Sequence, residues 1–163
     1  MKVMKRKAGI AGIAGALCVG IAGIALTNKM KNEEIQKRQK AKDKFKGYYN
    51  LLNQWLRLKQ ENKSLETYFT ENQYKTIAIY GMGELGNRLY DELKDSSVQV
   101  KYAIDENTAG AYSEVDIIAP EEDFPEVDVI VVTAVFAYQE IEEKLSDRTD
   151  IQVISLEDVV FEV

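Results

Sequence analysis

Histidine does not occur in this chain of 163 residues, and cysteine occurs once, as Cys18. Without histidine there is no Ser-His-Asp triad and no His-ligated zinc. One cysteine builds neither a disulfide framework nor a thiolate metal set, and Cys18 lies inside an apolar run. Tyr138 is followed four places on by Glu142, not by the lysine of the dehydrogenase Tyr-x-x-x-Lys pair. Beyond residue 75 neither Cys nor His is present to act as nucleophile or proton shuttle. No catalytic constellation and no metal site is therefore expected.

Acidic residues are scarce in the first half and basic ones in the second. Residues 1–75 hold 16 Lys/Arg against 6 Asp/Glu, whereas residues 76–163 hold 5 against 21, so the net charge of −6 joins a basic stem to an acidic head. The acidic head argues against nucleic acid, whose binding is driven by cationic neutralisation of phosphates. A hydrophobic content of 45% permits a packed core, and the length allows one domain with an appendage.

Residues 8–27 carry no charge and follow a basic tail, 1–7, containing Lys2, Lys5, Arg6 and Lys7. Twenty helical residues span about 30 Å, the hydrocarbon thickness of a bilayer, which predicts a single transmembrane helix. A cleavable signal peptide shares the basic start and apolar middle, with Gly23-Ile24-Ala25 as a small-x-small site. The length of the run and the charged helical pattern beyond it favour an uncleaved anchor. Ala8-x-x-x-Gly12 and Ala16-x-x-x-Gly20 are small-xxx-small pairs, through which two such helices would self-associate. Eight Lys/Arg follow the run closely and four precede it, which places the C-terminal domain in the cytoplasm by charge bias. Membrane lipid is thus the first expected partner.

Residues 28–44 are polar on nearly every side and read as a solvated helical stalk. From 45 to 74 the pattern becomes an amphipathic helical collar: Phe45, Tyr48/Tyr49, Leu52, Trp55/Leu56 and Lys59 recur at three- and four-residue steps. Ser64 is placed to cap a second short helix carrying Leu65, Tyr68 and Phe69.

Residues 75–163 begin with strand Thr76–Tyr80, a glycine turn, a helix and a second strand ending at Asp105. This is the order of a Rossmann-type βαβ unit. Gly81 suits the tight turn, Gly83 lets a pyrophosphate approach the backbone, and Gly86 lets the helix lie close on the sheet. Free N–H groups of Met82, Glu84 and Leu85 would join the helix dipole in facing a phosphate, although the carboxylate of Glu84 competes with that anion. Asp105, 19 residues after Gly86, stands where an acid accepts hydrogen bonds from a ribose diol. Glycines kept for packing alone, with Asp105 capping its own turn, give the same pattern without a ligand.

Further strands are expected at 115–118, 127–133 and 151–154, with a helix at 138–145 and a terminal turn at 156–160. Pro120 and Pro125 bound a crossover too short for a full helix. The fold class is therefore α/β, a small Rossmann-like parallel sheet of order 3-2-1-4-5, preceded by the transmembrane helix and stem. In such sheets a ligand sits where the strand order reverses. That point gathers the 81–86 loop, Asp105, and the turn bearing Thr133 and Phe136, the first a ribose or phosphate partner and the second a stacking surface for a base.

The segments IAIYGMGELG, VKYAIDEN, DIIAPEE, VDVIVVT and VISLEDVV, covering residues 75–163, resemble the small Rossmann-like domains that accompany bacterial surface-polysaccharide enzymes, the sugar acetyltransferases and sugar C-methyltransferases. Hexapeptide repeats and a methyltransferase domain are both missing. The resemblance implies a nucleotide-type ligand, NAD(P) or a nucleotide-sugar, and polysaccharide-synthesis proteins as partners. The expected function is a membrane-anchored nucleotide-binding module, accessory or sensor in envelope polysaccharide synthesis. The alternatives are a ligand-free interaction domain and, further off, a small oxidoreductase.

Overall fold

The computed structural model describes the backbone of residues 8–108 and 114–163, with side chains from residue 29 onward. The chain divides into two units, Met1–Gly47 and Tyr48–Val163. Helix α1 (Ala8–Gln60) contributes to both.

In the first unit, residues 29–46 are exposed throughout. Among them Arg38 donates to Glu34 at 2.7 Å and Gln39 to Asp43 at 2.8 Å, each four residues apart along the helix. Among the described residues no helix is long and apolar enough to cross a membrane. The expected transmembrane helix at 8–27 falls on residues whose side chains lie outside the described ones, so the structure adds nothing in its favour.

In the second unit α1 continues to Gln60 and ends in a reversal at Asn62 (φ 57°), where Lys63 N donates to Leu58 O and Asn62 N to Lys59 O. This satisfies the last carbonyls with a left-handed residue. Helix α2 (Glu66–Glu71) follows, with Glu66 N donating to Ser64 Oγ, and ends the same way at Gln73.

Strand β1 (Thr76–Tyr80), helix α3 (Glu84–Leu93), β2 (Gln99–Ile104), β3 (Ile117–Ile118), β4 (Val129–Val132), helix α4 (Tyr138–Ser146), β5 (Gln152–Ser155) and helix α5 (Leu156–Glu162) complete the chain. The five strands form one parallel sheet of order β3-β2-β1-β4-β5, as the strand pattern predicts. All four residues of β4 are buried, the burial a strand shows when both faces of a parallel sheet are covered.

Side-chain alternation divides the core into two. On one face Ile77, Ile79, Val129 and Val131 pack with Leu51, Trp55 and Leu58 of α1, Phe69 of α2, Leu89 and Leu93 of α3, and Leu156, Val159 and Val160 of α5. On the other, Ala78, Ile104, Ile130 and Val132 pack with Ile141 and Leu145 of α4.

Two expectations change here. The buried stripe of α1 is Leu51, Trp55 and Leu58, while Tyr49, Leu52 and Leu56 are exposed. Residues 51, 55 and 58 share one face at 3.6 residues per turn, and only the head selects that face over its apolar neighbour. The expected terminal turn is a full helix, α5, because Leu156, Val159 and Val160 bury an i, i+3, i+4 stripe, and Ser155 Oγ accepts from Glu157 N at its start.

One buried carboxylate joins α1 to α3. Glu92, its side chain 5% exposed, accepts from Trp55 Nε1 at 2.6 Å and Leu65 N at 2.8 Å, and pairs with Lys59 Nζ at 2.5 Å. The helix-less crossover between β3 and β4 is fastened by Arg148, whose guanidinium donates to the carbonyls of Pro120, Glu121 and Glu122. Tyr102 Oη donates to Pro125 O at 2.7 Å beside it.

Candidate functional site

The strand order reverses between β1 and β4, and the loops leaving their carboxyl ends meet. The glycine loop 81–86 leaves β1; a 3-10 turn (Val135–Ala137) follows β4; Asp105 stands just past β2. The topology thus brings the expected residues to one end of the sheet, and their contacts give them different roles.

Gly81 has φ +96°, a region side-chain-bearing residues rarely adopt, and its N–H donates to Ile104 O at 2.8 Å. Gly86 is required by contact. A Cβ there would stand 2.1 Å from Gly81 O and 3.1 Å from Gly81 C, so α3 lies directly on the carbonyl that ends β1. Thr133 closes the same junction: buried at 5% exposure, its Oγ1 donates to Gly81 O at 2.5 Å and approaches Tyr80 O at 3.2 Å. Its hydroxyl proton is therefore engaged within the fold, and only the acceptor side of its oxygen is left for any ligand.

Gly83 differs from both. It begins α3 as N-cap with φ −73° and no side-chain cap, and nothing lies within 4 Å of the position its Cβ would take. The first-turn N–H groups of a helix have no intrahelical acceptor, and here they open beside that free space. Met82 and Leu85 are buried in the core, so of the loop's side chains only that of Glu84, 93% exposed, reaches fully into solvent, with Arg88 3.8 Å away.

Asp105 is tied to the loop. Its Oδ2 accepts from Met82 N at 2.7 Å and its Oδ1 from Asn107 N at 2.9 Å. Each carboxylate oxygen accepts more than one hydrogen bond, so both retain a direction for a further donor. Asn87, a residue sequence reasoning passed over, completes the loop: its Nδ2 donates to Met82 O at 2.9 Å and Gly83 O at 3.0 Å. The available signal was an amide side chain one turn into a helix that begins without a capping side chain. Tyr80 ends β1, and burial, then the negative charge of Glu106, raises its phenol above the ordinary value.

Phe136, expected as a base-stacking surface, is 44% exposed and meets Tyr48 of α1 edge to face, with centroids 4.6 Å apart. Away from this end, a groove of about 440 Å³ lies between α1 and α3, lined by Leu52, Trp55, Leu56, Lys59, Arg88 and Asp91, with Glu92. No cluster of metal-ligating side chains occurs among the described residues.

These features define a small α/β domain of Rossmann-like topology with a glycine loop at its switch point. Residues 73–154, half of the chain, match the family described as C2185-like, N-terminal, and the chain belongs to that family. No curated protein and no solved structure matches it.

Proposed function

We propose that the head is a binding module for a nucleotide-type ligand, NAD(P) or a nucleotide-sugar, held at a membrane by residues 8–27 and serving envelope polysaccharide synthesis as an accessory or sensor subunit. The observation that carries the reading is Gly83. Packing accounts for Gly81 and Gly86, but the structure makes no demand for glycine at 83, whose φ any residue adopts and whose Cβ position is empty. Close approach of a ligand to the backbone is the remaining physical reason for a glycine there. A diphosphate would sit against the first-turn N–H groups of α3, and Asp105 would accept from a ribose hydroxyl with its unused directions. The anchor is supported by the uncharged run at 8–27 and the basic tail before it. The polysaccharide setting rests on the resemblance of 75–163 alone.

The test is thermal unfolding of the fragment Lys42–Val163 with NAD, NADP and nucleotide-sugars. A ligand at a hundred times its dissociation constant adds roughly 2.7 kcal/mol of stability, a rise of roughly 10 °C for a unit of this size. The rise is expected to vanish in Gly83→Val, which fills the open space, while the variant's own midpoint stays near that of the parent. No rise with any ligand refutes the reading.

A ligand-free docking domain is the second reading, and Thr133 favours it. Its hydroxyl serves the Gly81–Gly86 junction, so two of the three glycines and one expected site residue are explained without a ligand.

A further inference from the structure

The stem is strongly cationic, with eight Lys/Arg against three Asp/Glu between residues 29 and 46, and all of these residues are exposed. At 100° per residue, Lys29, Lys37, Lys40 and Lys44 fall within one sector of about 80°. Lys31, Arg38, Lys42 and Lys46 fall within a similar sector on the opposite side of the helix. Of the acids, Glu33 falls within the first sector, Glu34 is paired with Arg38 of the second at 2.7 Å, and Asp43 accepts from Gln39 at 2.8 Å. Each sector thus keeps a surplus of three positive charges.

We infer that this stem binds anionic phospholipid headgroups, which gather around the helix where it leaves the bilayer. The inference rests on the anchored reading of 8–27. Charge complementarity alone would also suit RNA or an acidic protein, but either would dock on one face, and a second cationic stripe on the far side would then face only water. Headgroups surround an emerging helix, and both stripes meet them. The effect is graded along the stem. With a rise of about 1.5 Å per residue, Lys29 and Lys31 lie within the headgroup layer, Lys37 and Arg38 within roughly a Debye length of it, and Lys44 and Lys46 beyond. Each cation at the surface is worth about a fivefold preference for anionic over neutral lipid.

The experiment reconstitutes the full chain in phosphatidylcholine vesicles containing spin-labelled phosphatidylglycerol or spin-labelled phosphatidylcholine and compares the motionally restricted fraction of each. Several-fold selectivity for phosphatidylglycerol is expected at about 0.1 M salt, where the screening length is about 10 Å, fading as added salt shortens it. Lys29→Gln with Lys31→Gln should remove most of it, and Lys44→Gln with Lys46→Gln little. Equal restriction of the two lipids overturns the inference. So does selectivity that survives both stem pairs but is lost when Lys2, Lys5, Arg6 and Lys7 are changed to Gln, and so does RNA binding by a chain that shows no lipid selectivity. Release of the protein from pure phosphatidylcholine vesicles by alkaline carbonate overturns the anchor and this inference with it, whereas retention with equal restriction overturns the inference alone.

Discussion

Alanine substitution at the three glycines of the loop separates packing from ligand approach. At Gly86 the added Cβ would stand 2.1 Å from the carbonyl oxygen of Gly81 and 3.4 Å from Thr133 Oγ1. A carbon and an oxygen in contact need roughly 3.2 Å, so α3 or the end of β1 must move by about 1 Å. The atom in the way is backbone, which no rotamer change removes. Overpacking of this kind costs about 1–3 kcal/mol, and the displaced Gly81 carbonyl loses its bond from Thr133, worth about 1 kcal/mol more. Alanine gains about 1 kcal/mol over glycine inside a helix, which offsets part of the loss. Gly86→Ala should therefore destabilise by about 1–3 kcal/mol, seen as a midpoint in urea lowered at unchanged slope. Gly81→Ala, with its φ of +96° and Thr133 Oγ1 at 3.0 Å, should also destabilise, by about 1–2 kcal/mol. Gly83→Ala meets nothing within 4 Å and should stay within about 0.5 kcal/mol of the parent. Equal losses at 83 and 86, or a neutral Gly86→Ala, would refute this division of roles.

Glu92→Gln should cost about 2–4 kcal/mol, since it removes a buried charge and turns an amide group toward Trp55 Nε1 and Leu65 N. Lys59→Met, at a side chain that is 46% exposed, should cost well under half as much in the same urea titration. The alkaline limit follows from the tyrosines. Burial pushes Tyr68 and Tyr102 up to about 12, and burial with the Glu142 carboxylate raises Tyr138. Their neutral forms are favoured in the folded state, so this stability is whole below the ordinary value near 10 and is lost as pH climbs from there toward 12. Unfolding followed by phenolate absorbance should show that decline, and Tyr102→Phe should make it shallower.

The sequence by itself determined the sheet. A near-continuous β-branched run at 127–133 and alternating strands around a glycine turn leave few packings, and the right-handed crossover rule reduces them to the order found in the structure. It also brought the glycine loop, Asp105 and Thr133 to one end of that sheet, because topology alone fixes where strands end. What each residue does there depended on distances of a few ångströms that no spacing encodes. Thr133 serves the Gly81 carbonyl, Asp105 holds Met82 N, and Gly83 alone faces open space. The buried face of α1 is likewise a tertiary outcome. Residues 49, 52 and 56 form as good an apolar stripe as 51, 55 and 58, and only the presence of α3, with Glu92 to receive Trp55 and Lys59, decides which one turns inward.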